Sequence, residues 1–235
     1  MIDQMEVTID QVEANLRPPE SLMPPYPAKV IDLASGERMV VHEVGRETVP
    51  RLLEAVKPLI AVQQDYYDIV AARTYSELLG WYRSRVKDEF CLVGTVKGEL
   101  VGLVNSRMLT DKVGMSYHTL AFRRGDRVGA HLFAAKMEHH LDVLKQDEVW
   151  IVAESPHGLR RWMGEYGLLF RPEQWHELGG GPTYVLTKEL WEKNKAGKCL
   201  GTRPVSEDLL QEARKMILPE TYVQIPNYRR SAVAG

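Results

Sequence analysis

The chain has 235 residues, 44% of them hydrophobic and 26% charged. At roughly 150 residues per domain, that length suits one domain with extensions or two small ones, and the composition excludes a disordered, collagenous or disulfide-stapled chain. Thirty Lys and Arg stand against 32 Asp and Glu, a formal net charge of −2, so no global field draws the chain to nucleic acid or to an anionic membrane.

The two cysteines, Cys91 and Cys199, are far apart and form no CxxC-type metal spacing. A reducing, cytoplasmic compartment is the simplest expectation. Residues 1–6 are acidic and lack the apolar core of a signal peptide. No run approaches the roughly 18 apolar residues of a membrane span.

Residues 1–37 read as a Pro-rich N-terminal extension. Arg17-Pro18-Pro19 and Met23-Pro24-Pro25-Tyr26-Pro27 place five of the 13 prolines within ten residues. Such a stretch is extended and stays out of a central sheet, so a strap across the domain surface is expected. Residues 38–190 read as the main domain. A strand covers 38–44. Val49, Leu52, Leu53, Val56, Leu59 and Ile60 then recur at helical spacing, with Thr48 as a candidate N-cap and Pro58 as a bend or stop. A second helix is expected over 76–86. Strands over 90–96 and 100–108, joined by Lys97-Gly98-Glu99, make a hairpin, and a further strand runs over 114–121.

A glycine- and arginine-rich loop, Phe122-Arg123-Arg124-Gly125-Asp126-Arg127-Val128-Gly129-Ala130, leads into a long amphipathic helix carrying Leu132, Phe133, Met137, Leu141 and Leu144. His139-His140 on that helix point about 100° apart and read as solvated rather than as a metal pair. An apolar strand over 149–153, a helix over 157–166 stopped by Gly167, and two strands over 174–178 and 183–187 close the domain. Residues 191–235 read as a C-terminal extension with one helix, capped by Ser206.

The strand–loop–helix junction carries the chemistry. The first amides of a helix lack intrahelical partners and, with the helix dipole, suit a phosphate-type anion. Gly125 and Gly129 allow close backbone approach, and the arginines offer charge-assisted bonds. The loop is neither a GxxxxGK[ST] P-loop nor a GxGxxG Rossmann turn. Read alone, it fits equally a solvated surface loop.

Arg124-Gly125-Asp126-Arg127-Val128-Gly129, with Val149–Ala153, Leu159–Leu168 and Thr183–Leu190, resembles the GCN5-related N-acetyltransferase (GNAT) family. Its R/Q-x-x-G-x-G/A loop is matched at Arg124 and Gly129, while Arg127 stands at the middle glycine. The resemblance implies an α/β mixed sheet with the GNAT-like acyl-CoA N-acyltransferase fold. It also implies acetyl-CoA as co-substrate and no metal. The strand at Leu120, Ala121 and Phe122 would hold the pantetheine arm, and the loop of Arg124, Gly125, Asp126, Arg127, Val128, Gly129 and Ala130 the diphosphate.

Three residues are catalytic candidates. Glu154, at a strand end, offers a carboxylate base; otherwise it is a solvated charge. His118 titrates near neutrality, or else serves as a structural hydrogen bonder. Tyr117 is the third, although strand alternation lets only one of the pair 117–118 face a given side. The tyrosine acid of many relatives falls at Met163, which cannot protonate a thiolate. Tyr166 is expected to pack in the core. The reading is an acyl-CoA-dependent N-acyltransferase moving acetyl to an unidentified amine acceptor by direct attack in a ternary complex. The alternative is a catalytically silent GNAT-like module that binds CoA or a protein partner. No nucleic acid or membrane partner is expected, and a homodimer is left open.

Overall fold

The computed structural model describes residues 8–220. The acidic start (1–7) and the end of the C-terminal extension (221–235) lie outside the described residues. Helix α1 (Ile9–Leu16) opens the described chain, capped by Thr8 and burying no residue. The proline stretch follows without regular structure, and strands β1 (Lys29–Asp32) and β2 (Arg38–Val44) pair antiparallel. The sheet thus takes in a strand immediately after the last proline of the strap.

Helix α2 (Val49–Val56) starts with Pro50 in its first turn, while Thr48 makes no side-chain cap. Its continuation through Pro58 tightens into a 3₁₀ turn over Lys57–Ala61, because proline supplies no donor to the α-helical ladder. Helix α3 spans Tyr67–Tyr82, beginning nine residues before the expected start. Asp65 and Tyr66 hold left-handed φ of 55° and 63° just before it, a break in the chain that hydrophobic spacing does not announce.

Strands β3 (Glu89–Val96), β4 (Glu99–Met108) and β5 (Val113–Ala121) form an antiparallel meander. Helix α4 (Val128–Glu138) then crosses to β6 (Glu148–Ile151), which lies parallel to β5. Helix α5 (Pro156–Tyr166) ends at Gly167, whose φ of 62° gives the left-handed stop. Strand β7 (Leu169–Phe170) and β8 (Tyr184–Thr187) complete an eight-stranded sheet of order β1-β2-β3-β4-β5-β6-β8-β7. The expected strand over 174–178 is a loop. Its polar groups are met locally: Thr183 Oγ1 donates to the Gln174 carbonyl, and the Leu178 amide donates to His176 Nδ1. Helices α6 (Lys188–Asn194) and α7 (Glu207–Arg214) follow.

One face of the sheet packs α2 and α3 through Leu52, Val56, Leu78, Cys91, Val93 and Leu103. The other packs α4 through Phe90, Leu92, Val104, Leu132 and Ala135. Covered so broadly, α4 is not the one-sided helix expected: His131 and Lys136 are buried along with its apolar residues. It continues as a π-helical turn over His139–Val143, in which His139 and His140 are fully buried. Solvation of that histidine pair is therefore corrected. Phe90 takes both rings edge-on, at 4.4 and 5.0 Å between centroids.

Candidate active site

Strands β5 and β6 pair only from Val113↔Glu148 to Ser116↔Ile151. Beyond that point they part, and a cleft of about 750 Å³ opens between them. Its walls come from β5, the loop into α4, the segment after β6, helix α5, Asp65, and Tyr67 and Val70 at the start of α3.

The β5 wall is irregular. Pairing with β4 runs Val104↔Thr119 and then Ser106↔Ser116, so Asn105 alone opposes both Tyr117 and His118. This is a β-bulge, which suspends the two-residue alternation and re-aims side chains. Tyr117 and His118 both line the cleft, their rings stacked 6.3 Å apart. The expectation that only one of them faces the site is overturned by that extra residue. Asn105 holds the bulge from both ends: its Oδ1 accepts from the His118 amide at 3.2 Å, and its Nδ2 donates to Glu89 at 3.1 Å.

Glu154 follows β6 and reaches across the gap. Its Oε2 lies 2.8 Å from His118 Nδ1, and its Oε1 pairs with Arg73 of α3. A carboxylate only accepts, so neutral His118 carries its hydrogen on Nδ1. Nε2 is then the lone-pair nitrogen, and it is buried without a hydrogen-bond partner among the described residues. Burial pushes the His118 pKa down, and the Glu154 interaction opposes that only in part. Burial raises the Glu154 pKa, yet His118 and Arg73 outweigh it and hold the carboxyl below its usual range. Glu154 is thus a partnered carboxylate, only 10% exposed, rather than a solvated one. Tyr117 donates its hydroxyl to Glu177, which also pairs with Arg107 at 2.9 Å. Burial is the largest cause raising the Tyr117 pKa.

The loop into α4 forms the opposite end of the cleft. Among the described residues, the amides of Arg124, Gly125, Asp126, Arg127, Val128 and Gly129 donate to no protein acceptor, whereas Ala130 and His131 bond to the Arg127 carbonyl. Arg124, Gly125, Arg127, Val128, Gly129 and Ala130 line the cleft. Arg127 is the N-cap of α4 with φ of 56°. The backbone therefore takes the left-handed turn that a glycine adopts without strain, with arginine in its place.

The side chains divide. Arg124 bonds Asp65 at 2.5 Å over the Tyr67 ring, and Arg127 pairs with Glu165 at 3.0 Å. Arg123 pairs with Glu37 and Asp126, and Asp126 also accepts from the Ser35 amide at 3.1 Å. Asp126 is thus a brace outside the cleft lining. Phe122 is 1% exposed in the core under α2 and α3, so its ring does not face the cleft. Leu120 and Ala121 line the cleft, and the Ala121 carbonyl accepts from Tyr67.

Sequence reasoning missed Arg73, Asn105, Lys136 and Glu177, which bond Glu154, the His118 amide, the His118 carbonyl and Tyr117 from other elements, and no motif marks them. Met163 is 36% exposed, and Tyr166 packs against Phe133 and Trp191. No group of three or more His, Cys, Asp or Glu side chains suited to a metal occurs among the described residues. No helix among them is long and apolar enough to cross a membrane.

No protein-family model matches the sequence, and no curated protein matches it. Solved structures do. An uncharacterized protein from Bacillus halodurans (bh2621) superposes with a TM-score of 0.53 at 10% identity, over 74% of this chain and 96% of that one. Mycobacterium smegmatis RimJ, in complex with CoA-disulfide, gives a TM-score of 0.52 at 12% identity, over 75% and 95%. Apo FdhC, a nucleotide-linked sugar GNAT, gives 0.48 at 9% identity, over 74% and 96%. With its meander, its parallel junction at β5 and β6, and the loop of unbonded amides leading into α4, the chain has the fold of the GCN5-related N-acetyltransferases.

Proposed function

We propose that this chain is an acyl-CoA-dependent N-acyltransferase that passes acetyl from acetyl-CoA directly to a primary amine. The observation that carries the reading is the run of six unbonded amides, 124–129, in a loop whose residues other than Asp126 line the same cleft as the His118–Glu154 pair. Amides aimed from a helix start bind a diphosphate without requiring a cationic side chain. This matters because Arg123, Arg124 and Arg127 are already paired.

The pantetheine arm would lie along Thr119–Ala121, past the end of the β6 pairing, and bring the thioester to the bulge. Of the two candidate bases, His118 suits the task better than Glu154. The Arg73 cation and the His118 Nδ1–H hold the Glu154 carboxylate in its charged form and so weaken it as a base. His118 Nε2 has a free lone pair, and Glu154 fixes the tautomer that leaves it so. The amine gives its proton to Nε2 and its nitrogen attacks the thioester carbon. The C–N bond forms, the C–S bond breaks, and the departing thiolate takes a proton from water, since Met163 offers none. Tyr117 commits its hydroxyl proton to Glu177 and serves as cleft wall.

Calorimetry with acetyl-CoA, followed by thiol release across a panel of amines, tests the reading. Micromolar binding and amine-dependent thiol release are expected. Glu154→Gln should lower kcat about 10²-fold or more, the usual share of a positioned base, with little change in acetyl-CoA affinity. Absence of acetyl-CoA binding at millimolar ligand would sink the proposal. Binding with no turnover on any amine would favour the silent module instead, which Met163 at the acid position already suggests.

A further inference from the structure

Lys136 lies on α4 with 0% exposure, in the core of the molecule. Full burial of a lysine is rare unless it is paired, yet Lys136 forms no ion pair among the described residues. Its Nζ donates to the His118 carbonyl at 3.0 Å, and it sits 5.7 Å from the Phe133 ring centre. That carbonyl belongs to the bulge, just past the last residue of β5 that β6 covers. A strand partner is missing there, and a side chain takes its place.

We propose that Lys136 is a positioning residue: it holds the bulge that carries His118 and so fixes the imidazole beside the cleft, and its charge adds to the burial that keeps His118 unprotonated. The proposal rests on the acyltransferase reading above and adds a residue to it. Helix α4 thereby serves both halves of the site, with its first turn toward the diphosphate and its third toward the base.

The electrostatics agree in sign. Burial pulls the Lys136 pKa from 10.5 down to about 7, with Glu154 and Cys91 acting in the opposite direction. The groups around it are Cys91 of β3, His118 of β5, Glu154 after β6, Arg73 of α3, His176 of the loop before β8, and His140 after α4. A cationic Lys136 opposes protonation of His118. Without it, His118 takes up a proton more readily, and the base is lost at a higher pH.

The test is Lys136→Met, which keeps the length and removes both donor and charge. Thiol release should fall at least tenfold in kcat, with KM for acetyl-CoA changed less than threefold and the acidic limb of kcat/KM moved to higher pH. Lys136→Gln, which keeps a donor without charge, should recover part of kcat and leave the limb where Lys136→Met puts it. An unmoved limb, or kcat and KM changing together, would mean a purely structural residue and overturn the proposal. A measurement on the unaltered protein covers variants that do not fold. With lysine labelled at ¹³Cε, one resonance should titrate near pH 7 and the His118 ring signals should respond in the same window. If every lysine titrates near pH 10, the proposal fails. Because this readout needs no turnover, an inactive protein would count against the transferase reading while the titration still decides the role of Lys136.

Discussion

Arg127 shows how a departure from a motif is accommodated. A glycine there would reach φ of 56° without penalty, whereas a side chain crowds its own carbonyl, at about 1–2 kcal/mol. The arginine is 55% exposed and its pair with Glu165 lies at the surface, where such pairs contribute little. Arg127→Ala and Arg127→Gly both remove that pair and differ only in backbone freedom. Urea unfolding should therefore find Arg127→Gly more stable than Arg127→Ala by about 1 kcal/mol. Since the proposed diphosphate site uses loop amides and the Arg127 guanidinium is already paired with Glu165, calorimetry should find their acetyl-CoA affinities within a few-fold of each other. Equal stabilities would show that the left-handed turn is not maintained in solution.

Among elements, α4 is placed by what β4 lacks. A Cβ on Gly102 would stand 2.8 Å from Leu132 Cδ1, 3.0 Å from Val128 Cγ1 and 3.0 Å from the Leu120 carbonyl. Gly102 thus lets the start of α4 settle onto the sheet beside the strand that would hold pantetheine. Gly102→Ala should cost about 1–3 kcal/mol by overpacking and weaken acetyl-CoA binding, because the displaced turn is the one bearing the free amides. Unchanged affinity in a destabilised variant would separate the turn from the packing. The same elements mark how far the sequence is legible. The meander, α4, β6 and α5 are readable because apolar runs, a Lys-Gly turn and a Gly stop act locally. The loop before α4 is legible as a glycine-containing strand-to-helix turn from Gly125 and Gly129, although alone they fit a solvated surface loop equally well. The bulge is not, since it exists only in the register between β4 and β5, and period-two reasoning therefore sets Tyr117 against His118. The segment over 174–178 is expected as a strand, yet its groups bond locally and to the Ser116 carbonyl through His176. Burial of His139 and His140 follows from layers closing over α4 on all sides, which no single helix pattern encodes.

Across the whole molecule, burial of neutral histidines makes stability depend on acid. Among the described residues His139 has no hydrogen-bond partner on either ring nitrogen, and its pKa falls to about 4 through burial. Burial likewise brings His140 to about 3 and His176 to about 4. In the unfolded chain these rings take up protons near pH 6.5. Between about pH 6.5 and 4 the unfolded state therefore binds protons that the folded state refuses, and each ring removes up to about 1.4 kcal/mol of stability per pH unit as pH falls. Above pH 6.5 both states are neutral at these sites and the effect vanishes. His139 is the ring to test, since it touches Tyr26 and Phe90 only through ring edges. His139→Leu removes a titrating group without stranding a donor. Urea unfolding at pH 7 and pH 5 should show the wild-type chain losing more stability than His139→Leu, by about 1–2 kcal/mol over that interval. Identical losses would mean that His139 is protonated in the folded chain, and that the layer over the π-helical turn admits water.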